Sequence, residues 1–169
     1  MKIYTLLKVF IAFCFFNSMN AQNKASASAS ATIVTPIQII KNSDIDFGSF
    51  TTNGAIGTLV LGADSKGVRV GSSNIGLPND SAKTASAAGF TITGQGDFAY
   101  NLILPTSDHL IYNGAESMII NGFTSSASKV LADGKEVIYL GATLHVGDGQ
   151  SVGAYSSLGS GIEIVVNYN

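Results

Sequence analysis

The sequence predicts an all-β fold, an antiparallel β-sandwich of Ig-like or related Greek-key topology. Three observations lead there. Short runs of alternating apolar and polar residues recur, punctuated by turn residues at fairly even intervals. Nineteen glycines and only 12% charged residues leave the helix formers Glu, Lys and Arg sparse. Outside the first 21 residues, no segment carries a long apolar period of 3.6 residues.

The first element is not part of the sandwich. In "MKIYTLLKVFIAFCFFNSMNAQ", Lys2 and Lys8 precede and flank an apolar core from Val9 to Phe16, and a polar segment ends at Ala21. This is the pattern of a secretory signal peptide, with an apolar run too short to anchor in a bilayer. Cleavage is expected after Ala21, although Met19 is large for the small-residue pocket upstream. Phe13 before Cys14 argues against lipidation of that cysteine. The expected organisation is a signal peptide at 1–21, a flexible Ala/Ser leader at 22–31 and a single β-sandwich domain at 32–169.

Cleavage leaves 148 residues, enough for one core. It removes Cys14, the sole cysteine, so disulfides and thiolate metal sites are excluded from the mature chain. Seven basic residues then stand against eleven acidic ones, a net charge of −4 with no basic cluster. That balance argues against a nucleic-acid or anionic-membrane partner on electrostatic grounds. No second stretch approaches the roughly 20 apolar residues of a transmembrane helix.

The leader "QNKASASASAT" offers little surface to bury and reads as flexible. "TIVTPIQII" puts Ile33, Thr35, Ile37 and Ile39 on one face, and Pro36 places the strand at an edge. In "SDIDFGSF", Ile45 and Phe47 point together and Gly48 permits a kink. "GTLVLG" and "GVRVG" are short strands joined by "ADSK", and "LPNDSAKTASAAG" is a polar loop. "GFTITG" pairs Phe90 with Ile92, and "DFAYNLILP" aligns Phe98, Tyr100, Leu102 and Leu104 before Pro105. "SMIING" and "FTSSASKV" are shorter, weaker segments, followed by an Asp133-Gly134 turn of the hairpin-closing kind. "VIYLGATLHVG" keeps Ile138, Leu140, Ala142, Leu144 and Val146 in register, and "GIEIVVNYN" does the same for Ile162, Ile164, Val166 and Tyr168.

Taken together, "IDFGSF", "AGFTITGQGDFAYNLILP" and "VIYLGATLHVGDGQSVGAYSSLGSGIEIVVNYN" resemble bacterial secreted proteins of domain of unknown function family 4402. The positions that carry the resemblance are Phe90, Thr93, Gly94, Tyr100, Gly141, Leu144, Gly153, Tyr155, Val166, Asn167 and Tyr168, within a match from about Ala31 to Asn169. The resemblance implies a pilin-like or spore-coat-like secreted β-sandwich style. It carries over no catalytic residue.

Two histidines are available as imidazoles. His145 falls with Tyr139 and Thr143 on the face opposite the apolar register, and His109 reads as a loop residue beside Asp108. Neither shows metal-ligand spacing. Asp44 and Asp46, and the turn residues Asp64, Asp97 and Asp148, lack the spacing of a calcium loop and read as turn formers. Asp46 to Gly48 spells a kinase phrase without its companions, and Ser126 to Lys129 satisfies Ser-x-x-Lys by chance. Phe90, Phe98, Tyr100 and Tyr168 read as core. Tyr112 and Tyr139 are less constrained, and Tyr155 beside Gly153 reads as a structural corner.

No catalytic, cofactor or metal residue is therefore expected. The chain reads as an exported, non-catalytic protein of the periplasm, outer surface or extracellular space, serving as a structural or adhesive component. Its expected partners are further copies of itself or a surface protein or glycan. A carbohydrate- or protein-binding module is the second reading, and an exported hydrolase the third. The closing strand is expected to complete its own sandwich. The competing reading has a neighbour's N-terminal segment supply a missing strand, for which "ASASAS" offers only methyl groups.

Overall fold

The computed structural model describes residues 23–78, 85–159 and 161–169. The expected signal peptide lies outside them, as does the middle of the polar loop after Pro78. The chain divides between Ile33 and Val34 into two units. In the first, Asn23 to Ile33 are exposed and carry no regular structure. The second is all-β and antiparallel, a sandwich.

Its strands are β1 (Gln38–Ser43), β2 (Thr51–Thr52), β3 (Gly57–Leu61), β4 (Arg69–Gly71), β5 (Ile75–Gly76) and β6 (Ala88–Thr93). They continue as β7 (Tyr100–Ile103), β8 (His109–Asn113), β9 (Glu116–Ser125), β10 (Lys135–Val146), β11 (Ser156–Ser157) and β12 (Val165–Tyr168). The large sheet runs β1-β6-β10-β9-β8-β11, with β3 and β4 joined to it through β10. Two small ribbons, β7 with β12 and β2 with β5, lie off it.

β10 is the axis. Its twelve residues alternate as the sequence requires, with Ile138, Leu140, Ala142, Leu144 and Val146 all at 1% exposure. Its first half, Lys135 to Leu140, pairs with β6, and its second half, Ala142 to Val146, pairs on that same side with β3. Gly141 stands at the changeover. A Cβ there would collide with the Leu61 carbonyl and the backbone of Gly62 and Ala63, so only glycine lets β3 come in where β6 leaves.

The changeover divides the core. One cluster gathers Ala88, Phe90, Ile92, Tyr100, Leu102, Leu131, Ile138 and Leu140 around the first half of β10. The other gathers Phe47, Leu59, Leu61, Ile75, Met118, Ile120, Ala142, Leu144 and Val146 around the second. Ile45 and Phe123 pack against both. The β7–β12 ribbon belongs to the first cluster only, with Ile162, Ile164, Val166 and Tyr168 half-buried there. The closing strand thus pairs within its own chain, from Val165 with Ile103 to Tyr168 with Tyr100.

The Tyr168 hydroxyl locks this end. It donates to the Thr35 carbonyl at 2.6 Å and accepts from the Gln95 N–H at 2.5 Å, while the Thr35 N–H donates to Gln95 Oε1 at 3.3 Å.

Four expectations are corrected. The two weak segments after Gly114 form one ten-residue strand, β9, because Gly122 at φ +60° absorbs an extra residue as a bulge against Gly141–Thr143. Asp133 and Gly134, at φ +53° and +77°, do not close a tight β9–β10 hairpin. The chain first leaves the sheet, pairs Val130 with Ala99 beside β7, and then turns back into β10. Phe98 is not core: the turn at Asp97 (φ +62°) keeps it ahead of β7, and its 41% exposed ring packs edge-on against Tyr168 at 5.6 Å. Ile33 does not join the face of Ile37 and Ile39, since β1 begins only after Pro36 and Ile33 is 99% exposed. β1 itself is an edge strand, as Pro36 predicts.

Replacing Gly141 with Ala is expected to lower unfolding free energy by about 1–3 kcal/mol, as overpacking against backbone does. Chemical denaturation measures this. Ser117→Ala, at an exposed position of β9, serves as the control and should change it by less than about 0.5 kcal/mol.

Candidate functional site

Over the second half of β10, Phe47 and Ile75 of β5 join the core, and two irregular segments flank a slot of about 1010 Å³ whose lining reaches both core clusters. The floor is the inner face of β6, β8, β9 and β10, through Phe90, Ile111, Met118, Leu140, Leu144 and Val146. One wall is residues 44–52, leading from β1 through β2. The other is residues 150–157, ending in β11.

Each wall is held by specific bonds. In the first, the Asp46 carboxylate caps its own turn by accepting the Gly48 N–H at 2.7 Å, and Gly48 takes φ +66°. Asp46 and Ser86 exchange backbone bonds, both at 2.8 Å. Arg69, the chain's single arginine, donates from Nη1 to the carbonyls of Phe47 at 2.7 Å and Ser49 at 2.8 Å. These charge-assisted bonds fix the wall's curvature over the floor.

The second wall turns on Gln150 and Tyr155. Gln150 Oε1 accepts the Gly147 N–H at 3.2 Å, and its Nε2 donates to the Tyr155 hydroxyl at 2.9 Å. That hydroxyl donates to the Ser151 carbonyl at 2.8 Å, four residues back, which makes Tyr155 the structural corner its sequence context suggests. A Cβ at Gly153, whose φ is +151°, would collide with the Asn113 amide. The walls meet at one end, where the Gly149 N–H donates to the Gly54 carbonyl at 2.7 Å.

The slot thus has a largely apolar floor and walls that each include an edge strand. β2 pairs on one side only, with β5, and β11 is the last strand in the order of the large sheet.

Comparison with known proteins agrees with the resemblance in the sequence. Residues 37–168 match the family described as Domain of unknown function (DUF4402). The chain belongs to this family. No curated protein and no solved structure matches it significantly.

Within the DUF4402 domain the residues singled out from the sequence are dispersed. His145 is half-buried on the outer face, where Nε2 bonds Asn121 Oδ1 at 2.7 Å. The Asn121 amide donates in turn to Asp108 at 2.9 Å. His109 opens β8 rather than sitting in a loop, because the chain re-enters the sheet directly after Asp108, and its Nε2 lies 2.7 Å from Ser157 Oγ. Asp108 and His109 do not pair, as neighbours on a strand should not. Asp44 holds Lys41 at 2.6 Å, and Asp64 caps its own turn through the Lys66 N–H at 2.7 Å. Among the described residues, no three His, Cys, Asp or Glu side chains group as metal ligands.

The structure adds residues that the sequence reading passed over. Met118, Ile120, Ile111 and Phe50 looked like ordinary strand or loop positions, and nothing local marks them as lining a slot. Arg69 did carry a signal, as the only arginine in a chain poor in charge.

Among the described residues, Tyr100 is the group whose protonation is shifted. It is fully buried, and its hydroxyl donates to Glu136 Oε2 at 2.6 Å, while Glu136 Oε1 accepts the Ser128 N–H at 2.6 Å. Burial first, then the bond to Glu136 and its negative charge, hold the phenol above its ordinary range. The unfolded chain loses this proton near pH 10, before the folded one does, so stability present below that pH is lost as pH rises beyond it. Denaturation midpoints from pH 8 to 11.5 should fall less steeply for Tyr100→Phe than for the parent.

Arg69→Ala should free the first wall without unfolding the sheet. Amide exchange at residues 46–50 is expected to accelerate at least tenfold, while that of Leu140 to Val146 stays within twofold.

Proposed function

We propose that this protein is an exported, non-catalytic structural or adhesive component of the periplasm or cell surface. The observation that carries this reading is the slot, a largely apolar hollow of about 1010 Å³ beside the edge strands β2 and β11, a concavity suited to association with another protein. The use of its polar side chains supports it. Asp44, Asp46 and Asp64 hold local turns or a neighbouring lysine, and His109 and His145 bond Ser157 and Asn121. The N-terminal pattern of Lys2, Lys8 and the Val9–Phe16 core supports export. The pilin-like style noted in the sequence fits a surface role.

A glycan-binding module is the second reading. It calls for aromatic rings presented at a loop end, whereas the Tyr155 hydroxyl, on the loop beside the slot, turns back into its own backbone.

Cell fractionation, protease treatment of intact cells and N-terminal sequencing test the proposal. The expected result is a chain beginning at Gln22, retained in the envelope, whose purified mass rises with concentration. A cytoplasmic chain with its first 21 residues intact, or a freely released protein that stays monomeric, would refute it.

A further inference from the structure

A sheet with open ends has to keep other strands from adding to them. Among the described strands, β1, β4 and β11 each pair on one side only, as do the strands of both small ribbons. β4 has three residues, β11 two, and the ribbon strands two or four. Such brevity is itself a protection. β1 has six residues, the longest of these edges, and needs another.

Its alternation supplies one. Ile39 pairs with Ile92 and Lys41 with Phe90, and both β6 residues are buried on the inner face. Directly paired residues of an antiparallel sheet lie on one face, so Ile37, Ile39 and Lys41 form a single inward row. Ile37 and Ile39 pack against the first core cluster. The third place in the row holds a charge where the period calls for another apolar side chain. Lys41 Nζ bonds Asp44 Oδ1 at 2.6 Å, and the two side chains are 59% and 80% exposed. An ion pair this exposed contributes little to stability. Its effect lies in what it keeps away.

Two copies of β1 can pair antiparallel about a twofold axis normal to the sheet, which leaves both inward rows on one face. Only registers that match odd-numbered residues with odd ones do so. Centred on Ile40, the pairing sets Lys41 opposite Ile39 of the other copy. Centred on Ile39, it sets Lys41 opposite Ile37. Centred on Lys41, it sets two ammonium groups face to face. Every case holds the charge against an apolar side chain or against its like, and both are unfavourable. Past Lys41 the register with β6 shifts before Ser43, so a bulge ends the regular edge there.

We infer that Lys41 guards the free edge of β1 against pairing with β1 of a second copy, and that Asp44 holds its ammonium in place. Edge-to-edge extension of the large sheet at β1 is thereby closed to this chain. The guard is independent of the proposed structural role, because it concerns one edge, whatever other surface the chain assembles through.

Cross-linking at that edge tests it. The mature Gln22–Asn169 chain lacks Cys14, so Ile40→Cys, at a 60% exposed outward position, supplies the only thiol. In each register above, the two thiols stand opposite or one diagonal step apart, within reach of a bismaleimide spanning about 8 Å. Ile40→Cys alone should give little linked dimer. Adding Lys41→Val should raise the linked fraction at least tenfold at the same protein concentration, and Lys41→Thr, neutral but polar, at least fivefold. Lys41→Arg, which keeps the charge, should stay within twofold of Ile40→Cys alone. Circular dichroism and denaturation midpoints should match across the set, which separates a guard from a structural residue. If Lys41→Val does not fold, Lys41→Thr carries the comparison. Equal linkage with and without the charge would overturn the inference, and so would strong linkage in Ile40→Cys alone or with Lys41→Arg.

Discussion

The close approach of two backbones at Gly141 is the constraint on which the rest of the domain depends. A single long strand serves as the spine of both core clusters, and it can do so only by exchanging one neighbour for another halfway along. An exchange of partners needs the departing and arriving strands to crowd the same point, and there a side chain has no room. From this follow the two clusters and the different roofs above them. The β7–β12 ribbon covers the first half because the chain next to β6 returns across it. The second half is flanked by segments with only two paired residues each, in β2 and β11, which side chains pin as well.

That difference in roofing is a difference in how stability is distributed. Strand pairing holds a layer through many backbone bonds that fail together, whereas Arg69, Gln150 and Tyr155 each hold a few carbonyls and hydroxyls. The walls can therefore shift without loss of the sheet beneath them, as binding segments generally do. The floor is different in kind, since Leu144 and Val146 belong to the best-packed strand of the molecule.

Much of the sheet was legible because alternation is a property of neighbours. β6, β7, β10 and β12 carry their burial in a period of two, and the structure places Phe90, Ile92, Tyr100, Leu102 and the five inward residues of β10 as that period requires. Legibility stopped where the backbone departs from the period. Gly122 hides the continuity of β9, Asp97 shifts Phe98 off its strand, and Asp108 leads straight into β8 where a loop was expected. The slot was not legible at all. It lies between residues 44–52 and 150–157, segments far apart in sequence, and no local pattern records where two such segments stand relative to each other.

The hydroxyl of Tyr168 has a mechanical meaning. Tension applied along the chain ahead of Val34 enters the domain at Thr35, where it divides. One share continues covalently into β1, at the edge of the large sheet, and the other crosses the 2.6 Å bond from Tyr168 into β12 and its four paired residues on β7. The two strands lie in different layers of the sandwich. A load on the leader is thus borne by both layers at once, and neither edge strand need be peeled away alone.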